Sequence, residues 1–276
     1  MRSTPRPHAE LTATLAAALS ALGLGVRRNL ANWPILMGRA LFYLVIMAVL
    51  SALWDKVAGQ NLPGTLANVL PPGGLTLYVG ATEWIMLSIA AIHLRLEDDI
   101  RFGHLEPQLL RPKPYLLQRI AEAMGDTLAR LLGIAVAALV ALALSGRSAP
   151  PAIAFAYVAV LGVFGGAVGV LLYTLVGLSA FWVRRVLPPY LIMQKSMFIL
   201  GGLFAPISLY PDWLYQAARL TPFAANTFIA GNQMIAPSAA GFVAGLASQL
   251  VWIGIIAILI ALVWRAAIAK ILREGA

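Results

Sequence analysis

The apolar residues of this chain are gathered into six runs, each close to the length a helix needs to cross a lipid bilayer. At 1.5 Å per residue, a span takes roughly 20 mostly apolar positions. The runs are Ile35–Leu53, Leu75–Ile92, Ile120–Leu144, Ile153–Val183, Tyr190–Ile207 and Phe242–Trp264. The third has a charged first half, so its apolar part is Leu131–Leu144, and the fourth is long enough to tilt. A soluble alternative fails on composition. Hydrophobic residues fill 61% of 276 positions and charged residues only 11%, against roughly 45–50% and about 25% in soluble domains. One core of this size cannot hide so much apolar surface, so the surplus must face lipid. The expected fold is all-α and polytopic, with six transmembrane helices in a single membrane domain, residues 1–276. No soluble domain and no internal repeat stand out.

Charge placement sets the orientation. The net charge of +9 would suit a nucleic-acid binder if the basic residues formed a patch. Instead they alternate between the segments joining the runs. Arg2, Arg6, Arg27, Arg28, Arg95, Arg101, Arg111, Lys113, Arg119, Arg184, Arg185, Arg265, Lys270 and Arg273 fall on one side. Only Lys56, Arg147 and Arg219 fall on the other. The positive-inside rule therefore predicts a multi-pass membrane protein with both termini cytoplasmic, and it removes the nucleic-acid reading. Trp33, Trp182 and Trp264 sit at inner ends of the runs, and Trp54, Tyr210 and Trp213 at outer ends, as interfacial anchors do. The first ten residues contain Pro5, Pro7 and Glu10 with no small-residue cleavage site after them, so no signal peptide is expected.

Two segments do not read as spans. Within the N-terminal region, residues 1–34, Leu11, Leu15, Leu19 and Leu22 recur at helical spacing before Arg27 and Arg28. That pattern predicts a helix along the inner interface, with a seventh span as the competing reading. Ser208–Pro237 is apolar yet broken by Pro211, Pro222 and Pro237, with Asn226, Asn232 and Gln233 interspersed. Across residues 208–241 this predicts a partly inserted, re-entrant hairpin on the outer face, because irregular backbone cannot be left exposed to lipid.

Several chemistries are excluded. Cysteine is absent, which removes disulfides, thiolate metal sites and cysteine nucleophiles. His8, His93 and His104 show no ligand spacing, so no metal is expected. No phosphate-cradling GxxxxGK[ST] loop is present. The nearest glycine run, Gly162–Gly169, has no lysine and lies within a span. Its small-xxx-small spacing fits close helix packing, within the chain or between subunits. No catalytic set is evident.

The remaining ionisable residues lie within the runs, where burial is costly and function is the default hypothesis. Glu83 falls near the midplane of Leu75–Ile92 and is followed by Trp84; Gln194 and Lys195 lie on the fifth run. These four are the candidates for a substrate pathway, although Glu83 and Lys195 also suit a structural pair. Glu122 and Asp126 stand four apart, with Arg130 on the same helical face. With Arg39 in the same half of the membrane, they predict a self-neutralising ion network.

The longest inner connection, residues 93–119, mixes acids, bases and apolar residues and stops at Pro112 and Pro114. It reads as a short amphipathic helix with a docking face. Its Arg101-x-Gly103-x-Leu105-x-x-x-Leu109-Leu110-Arg111-Pro112 stretch resembles one found in the membrane subunits of an ABC transporter family. That family includes bacterial drug and polysaccharide exporters and a branch of uncharacterised permeases. Gly201-Gly202, Pro206, Tyr210-Pro211-Asp212-Trp213-Leu214 and Thr221-Pro222-Phe223 are similar to the family's helix exit and outer hairpin. The resemblance implies a dimer of identical or paralogous permeases bound to cytoplasmic ABC ATPase subunits. ATP and Mg would be bound by those partners, with no cofactor and no enzymatic activity on this chain. It further implies that Glu97, Asp98, Asp99, Arg101, Leu105, Leu109, Leu110 and Arg111, with the N-terminal helix, contact the ATPase. The leading expectation is an ABC export permease. An ion- or proton-coupled secondary transporter is the alternative, weakened by the missing inverted repeat. An intramembrane enzyme is the third and lacks a reactive set.

Overall fold

The computed structural model describes residues 7–58, 73–109, 114–146 and 149–274, and every regular element among them is helical. In chain order these are α1 (Pro7–Ala31), α2 (Trp33–Ala58), α3 (Gly74–Ser88), α4 (Ile92–Arg101) and α5 (Glu106–Leu109). Then follow α6 (Tyr115–Leu144), α7 (Ala152–Leu178), α8 (Leu187–Leu200), α9 (Asp212–Arg219), α10 (Pro222–Asn226), α11 (Phe228–Ile235) and α12 (Ala239–Glu274). Five stretches are long and apolar enough to cross a membrane: Trp33–Trp54, Gly74–Arg101, Tyr115–Leu144, Ala152–Phe181 and Ala239–Arg273. Their outward faces carry large apolar side chains such as Leu41, Leu132 and Ile258, a surface that suits lipid and not water.

The expected fifth span, Tyr190–Ile207, is not one helix. α8 has 14 residues, about 21 Å of rise against the roughly 30 Å of a hydrocarbon core. It stops at Gly201 and Gly202, the latter at φ +64°, before a turn that leads into α9–α11. The carbonyls freed there are not left bare. Tyr210 donates to Ile199 O at 2.7 Å, Thr227 to Gly201 O at 2.7 Å, Tyr78 to Gly202 O at 2.5 Å and Thr82 to Leu203 O at 2.8 Å. Four hydroxyls thus satisfy irregular backbone inside an apolar fold, as such backbone requires. The segment read as a re-entrant hairpin is the short-helix series α9–α11. α11 lies against α3 and α7, and Ala224–Thr227 are buried.

α7 is the central helix, and its glycine run is used inside the chain. Gly162 is covered by the Trp84 ring, Gly165 by the Asn226 carbonyl, and Gly169 by Ile89 and the Asn226 side chain. The N-terminal helix makes its main contact along α6. Gly25 of α1 faces the backbone of Glu122, and Gly125 of α6 faces the backbone of Leu22, so the two helices cross with main chains touching.

Candidate functional site

Just beyond this crossing lies the network anticipated from Glu122 and Asp126, built with different bases. Arg28, one turn after Gly25, pairs with Glu122 and with Asp126 at 2.6 Å. Arg95 of α4 reaches Asp126 at 2.5 Å and Glu122 at 3.6 Å. Arg119 bridges Glu122 at 3.2 Å and Asp99 at 2.7 Å, and Asp99 also accepts from the Tyr115 hydroxyl at 2.6 Å. Asn29 adds a bond to Asp126 at 3.3 Å. Asp126 is fully enclosed and Glu122 nearly so. Three arginines and three carboxylates balance, joining α1, α4 and α6 at one end of the molecule. Such buried charges stand only when paired and hydrogen-bonded in this way.

Arg39 and Arg130, expected in that network, are elsewhere. Arg39 donates to Leu87 O at 3.2 Å and Arg130 to Ile89 O at 3.1 Å. Both sit at the interruption between α3 and α4, Ile89–Ala91, where the Ala90 N–H finds the Thr127 hydroxyl at 3.1 Å. The second apolar run is therefore one helix, α3, ending in a break from which α4 starts at Ile92. The carbonyl end of α3 carries partial negative charge and unpaired acceptors, and two guanidiniums meet both needs. Periodicity along α6 places Arg130 beside Asp126, but the side chain is long enough to serve the neighbouring helix.

The segment read as an ATPase-docking surface divides in two. Glu97 is buried, accepts from Arg101 at 3.3 Å and takes the Val186 N–H at 3.3 Å, which ties α4 to the start of α8. Asp99 belongs to the network, and Leu105 is 3% exposed. These three hold the fold together. Asp98, Arg101, Phe102 and His104 are exposed around Gly103, which takes φ +71°. The Leu109 side chain, Leu110 and Arg111 lie outside the described residues.

The pathway candidates are not brought together. Glu83 is 4% exposed and has no hydrogen bond or ion pair among the described residues. Lys195 lies on the exposed face of α8, its Nζ 5.2 Å from the Phe198 ring centre. α8 packs on α7 and α10, whereas α3 packs on α2, α6, α7 and α11, so the two charges belong to different faces of the bundle. A Glu83–Lys195 pair is not formed. Gln194 donates to the Tyr190 hydroxyl at 2.8 Å, and Tyr190 stacks on His93 at 4.2 Å. Trp84 donates to Leu131 O at 2.8 Å and lines a cavity of about 590 Å³ between α2, α3, α6 and α7. That cavity is in the range of ligand pockets. Glu83, Gln194 and Lys195 do not line it.

Sequence reasoning missed Arg28, Arg95 and Arg119 as network members because they counted only as orientation charges. The signal available was glycine: Gly25 lies three residues before Arg28, and Gly125 lies between Glu122 and Asp126. Among the described residues no cluster of His, Asp and Glu is placed to hold a metal.

This geometry defines a multi-pass helical membrane protein with a charge-clamped end and an apolar cavity. No protein-family model matches the chain, and comparison with characterised proteins finds no significant match.

Proposed function

We propose that this chain is the membrane subunit of an ATP-driven exporter of the ABC drug- and polysaccharide-export type, working as a dimer of permeases with separate cytoplasmic ATPase subunits. The observation that carries the reading is the clamp formed by Arg28, Arg95, Arg119, Asp99, Glu122 and Asp126. It makes α1, α4 and α6 one rigid end, so a push on the exposed turn at Asp98–His104 is passed to a helix that runs the length of the bundle. The broken junction at Ile89–Ala91 provides the place where α4 and α3 can change angle, held by guanidiniums and not by a continuous ladder. In this reading there are six crossings, with α8 and the α9–α11 series together making the fifth. Both termini and Gly103 are cytoplasmic, and the membrane is the bacterial inner one. ATP and Mg are held by the partner, and the chain itself hydrolyses nothing.

A second reading, a proton-coupled secondary transporter, is favoured by one observation, the enclosed Glu83, which has no ion pair among the described residues.

The test is coupling. The chain is co-purified with its ATPase subunit, and Asp98→Lys combined with Phe102→Ala is compared with the parent. Asp98 is exposed and Phe102 is 67% exposed, so the fold is preserved and the melting temperature is unchanged. Association with the ATPase, or transport-stimulated ATP hydrolysis, is expected to fall several-fold. Full coupling in this variant removes the turn from the role, and proton-driven transport by the chain alone replaces the reading with the second.

A further inference from the structure

We propose that the Ser179–Phe181 turn, the start of α8 and the last turns of α12 together form a binding site for the phosphodiester of an anionic phospholipid. The site lies within one subunit, and the proposal does not depend on how transport is energised.

The charge comes first. In the clamp, three arginines are matched by three acids, and Arg101 nearby is matched by Glu97. Further round the same end of the molecule that balance is lost. Tyr115 of the clamp stacks on Trp264 of α12, Trp264 meets the Phe181 ring, and the Phe181 carbonyl accepts from Lys270 at 2.7 Å. Arg184 and Arg185 follow that turn, and Arg273 lies one helical turn past Lys270. These three arginines are exposed and have no ion pair among the described residues. From Thr127 to Pro211 the sequence has no acid, and after Asp212 it has only Glu274. Asp212 opens α9, near Tyr210, which bonds to Ile199 O at the far end of α8. That end is about 20 Å from Arg185, since α8 has 14 residues. The Glu274 side chain lies outside the described residues. Glu97, the carboxylate beside Val186, is buried and engaged by Arg101 and the Val186 N–H.

Reach and chemistry come second. Arg184 is three residues from Phe181, at most about 11 Å of chain, and residues one helical turn apart stand about 5–6 Å apart at Cβ. Arg184, Arg185 and Arg273 can therefore address one head group around the anchored Lys270. Guanidinium forks take phosphate oxygens two at a time. A zwitterionic lipid would bring an ammonium to a surface where the turn and α8 offer no acid, so the fit is to a head group that is anionic overall. Apolar side chains continue the site away from the bases. Trp182, with its ring against Phe181, is 50% exposed. Leu187 and Leu191, one turn apart on α8, and Leu262, three residues before Arg265 on α12, are also exposed. Bases, then an interfacial tryptophan, then leucines follow the order of a phospholipid from phosphate to acyl chain. A free phosphate would use only the bases.

The experiment titrates the purified full chain in neutral detergent with phosphatidylglycerol, with phosphatidylcholine and inorganic phosphate as parallel arms. Bound lipid is read by native mass spectrometry, and its place by hydrogen exchange. Phosphatidylglycerol is expected to bind and to protect peptides covering 179–187 and 264–273, and phosphatidylcholine to do neither. Arg184→Gln combined with Arg185→Gln is expected to weaken phosphatidylglycerol binding roughly tenfold or more, and Arg273→Gln alone several-fold. Arg219→Gln, on α9 and over the Tyr215 ring, is expected to leave it unchanged. Parental affinity in both the double variant and Arg273→Gln, each with a parental melting temperature, overturns the site. Equal binding of phosphatidylcholine and phosphatidylglycerol overturns the anionic head group. Displacement of bound phosphatidylglycerol by inorganic phosphate at matched concentration overturns the lipid as the ligand.

Discussion

Replacing Gly125 by alanine tests whether the α1–α6 crossing holds the charged network in register. A carbon added at Gly125 would sit 2.9 Å from the Leu22 carbonyl carbon and 3.1 Å from the Val26 nitrogen, and closer still to the Leu22 oxygen. All three are backbone atoms and cannot rotate away. α1 must then retreat by on the order of 1 Å before ordinary van der Waals separation returns. Arg28 rides on α1, and its 2.6 Å bond to Asp126 would lengthen to about 3.6 Å, beyond hydrogen-bonding reach. Overpacking costs about 1–3 kcal/mol, and a lost hydrogen bond to a charged group about 1.5–3 kcal/mol. The alanine returns up to about 1 kcal/mol of helix propensity. The net loss is therefore about 2–5 kcal/mol, equivalent to roughly 4–20 °C in melting temperature at about 2–4 °C per kcal/mol. The control is built into the same crossing. Gly23, two residues before Gly25, has nothing within 4 Å of an added carbon, so Gly23→Ala should hold or gain stability. Thermal unfolding of both variants in one detergent decides the matter. If Gly125→Ala melts within a degree of Gly23→Ala, the crossing is not what holds the network.

Two further outcomes are expected. Arg130→Met together with Arg39→Met should leave the carbonyls of Leu87 and Ile89 without their guanidiniums and speed hydrogen exchange in a peptide covering 84–95; unchanged protection there would show that the break does not need its arginines. Glu83→Gln should keep or raise stability, since a carboxylate with no ion pair among the described residues has only burial to lose. A fall of more than about 1 kcal/mol on Glu83→Gln, restored by exchanging Glu83 and Lys195, would revive the pairing that the geometry lacks.

How much was legible in advance follows from the reach of each interaction. The amino-acid sequence by itself determined the class, because surplus apolar surface has only lipid to face and the run lengths match a bilayer. It determined the start of the helix expected at Ile153–Val183, since Pro151 precedes its first turn, but the α-helix ends at Leu178, five residues before Val183. It located the acids of the network, Glu122 and Asp126, because spacing along one helix places them on one face. It also located the broken segment after the fifth run, through Pro211, Pro222 and Pro237, but carried the run on past Gly201 and Gly202, where the helix in fact stops. Only the tertiary structure decided which cations those acids meet. Arg28 and Arg95 are about 100 and 30 residues away in sequence, and their approach depends on two glycines on different helices facing one another. The interruption at Ile89-Ala90-Ala91 likewise has no Gly or Pro to announce it. It exists because Arg39, Arg130 and Thr127, on two other helices, supply the hydrogen bonds that a continuous helix would have made for itself. Local spacing reads one helix face; a charge or a carbonyl satisfied from another helix is set by packing, and no window along the chain contains it.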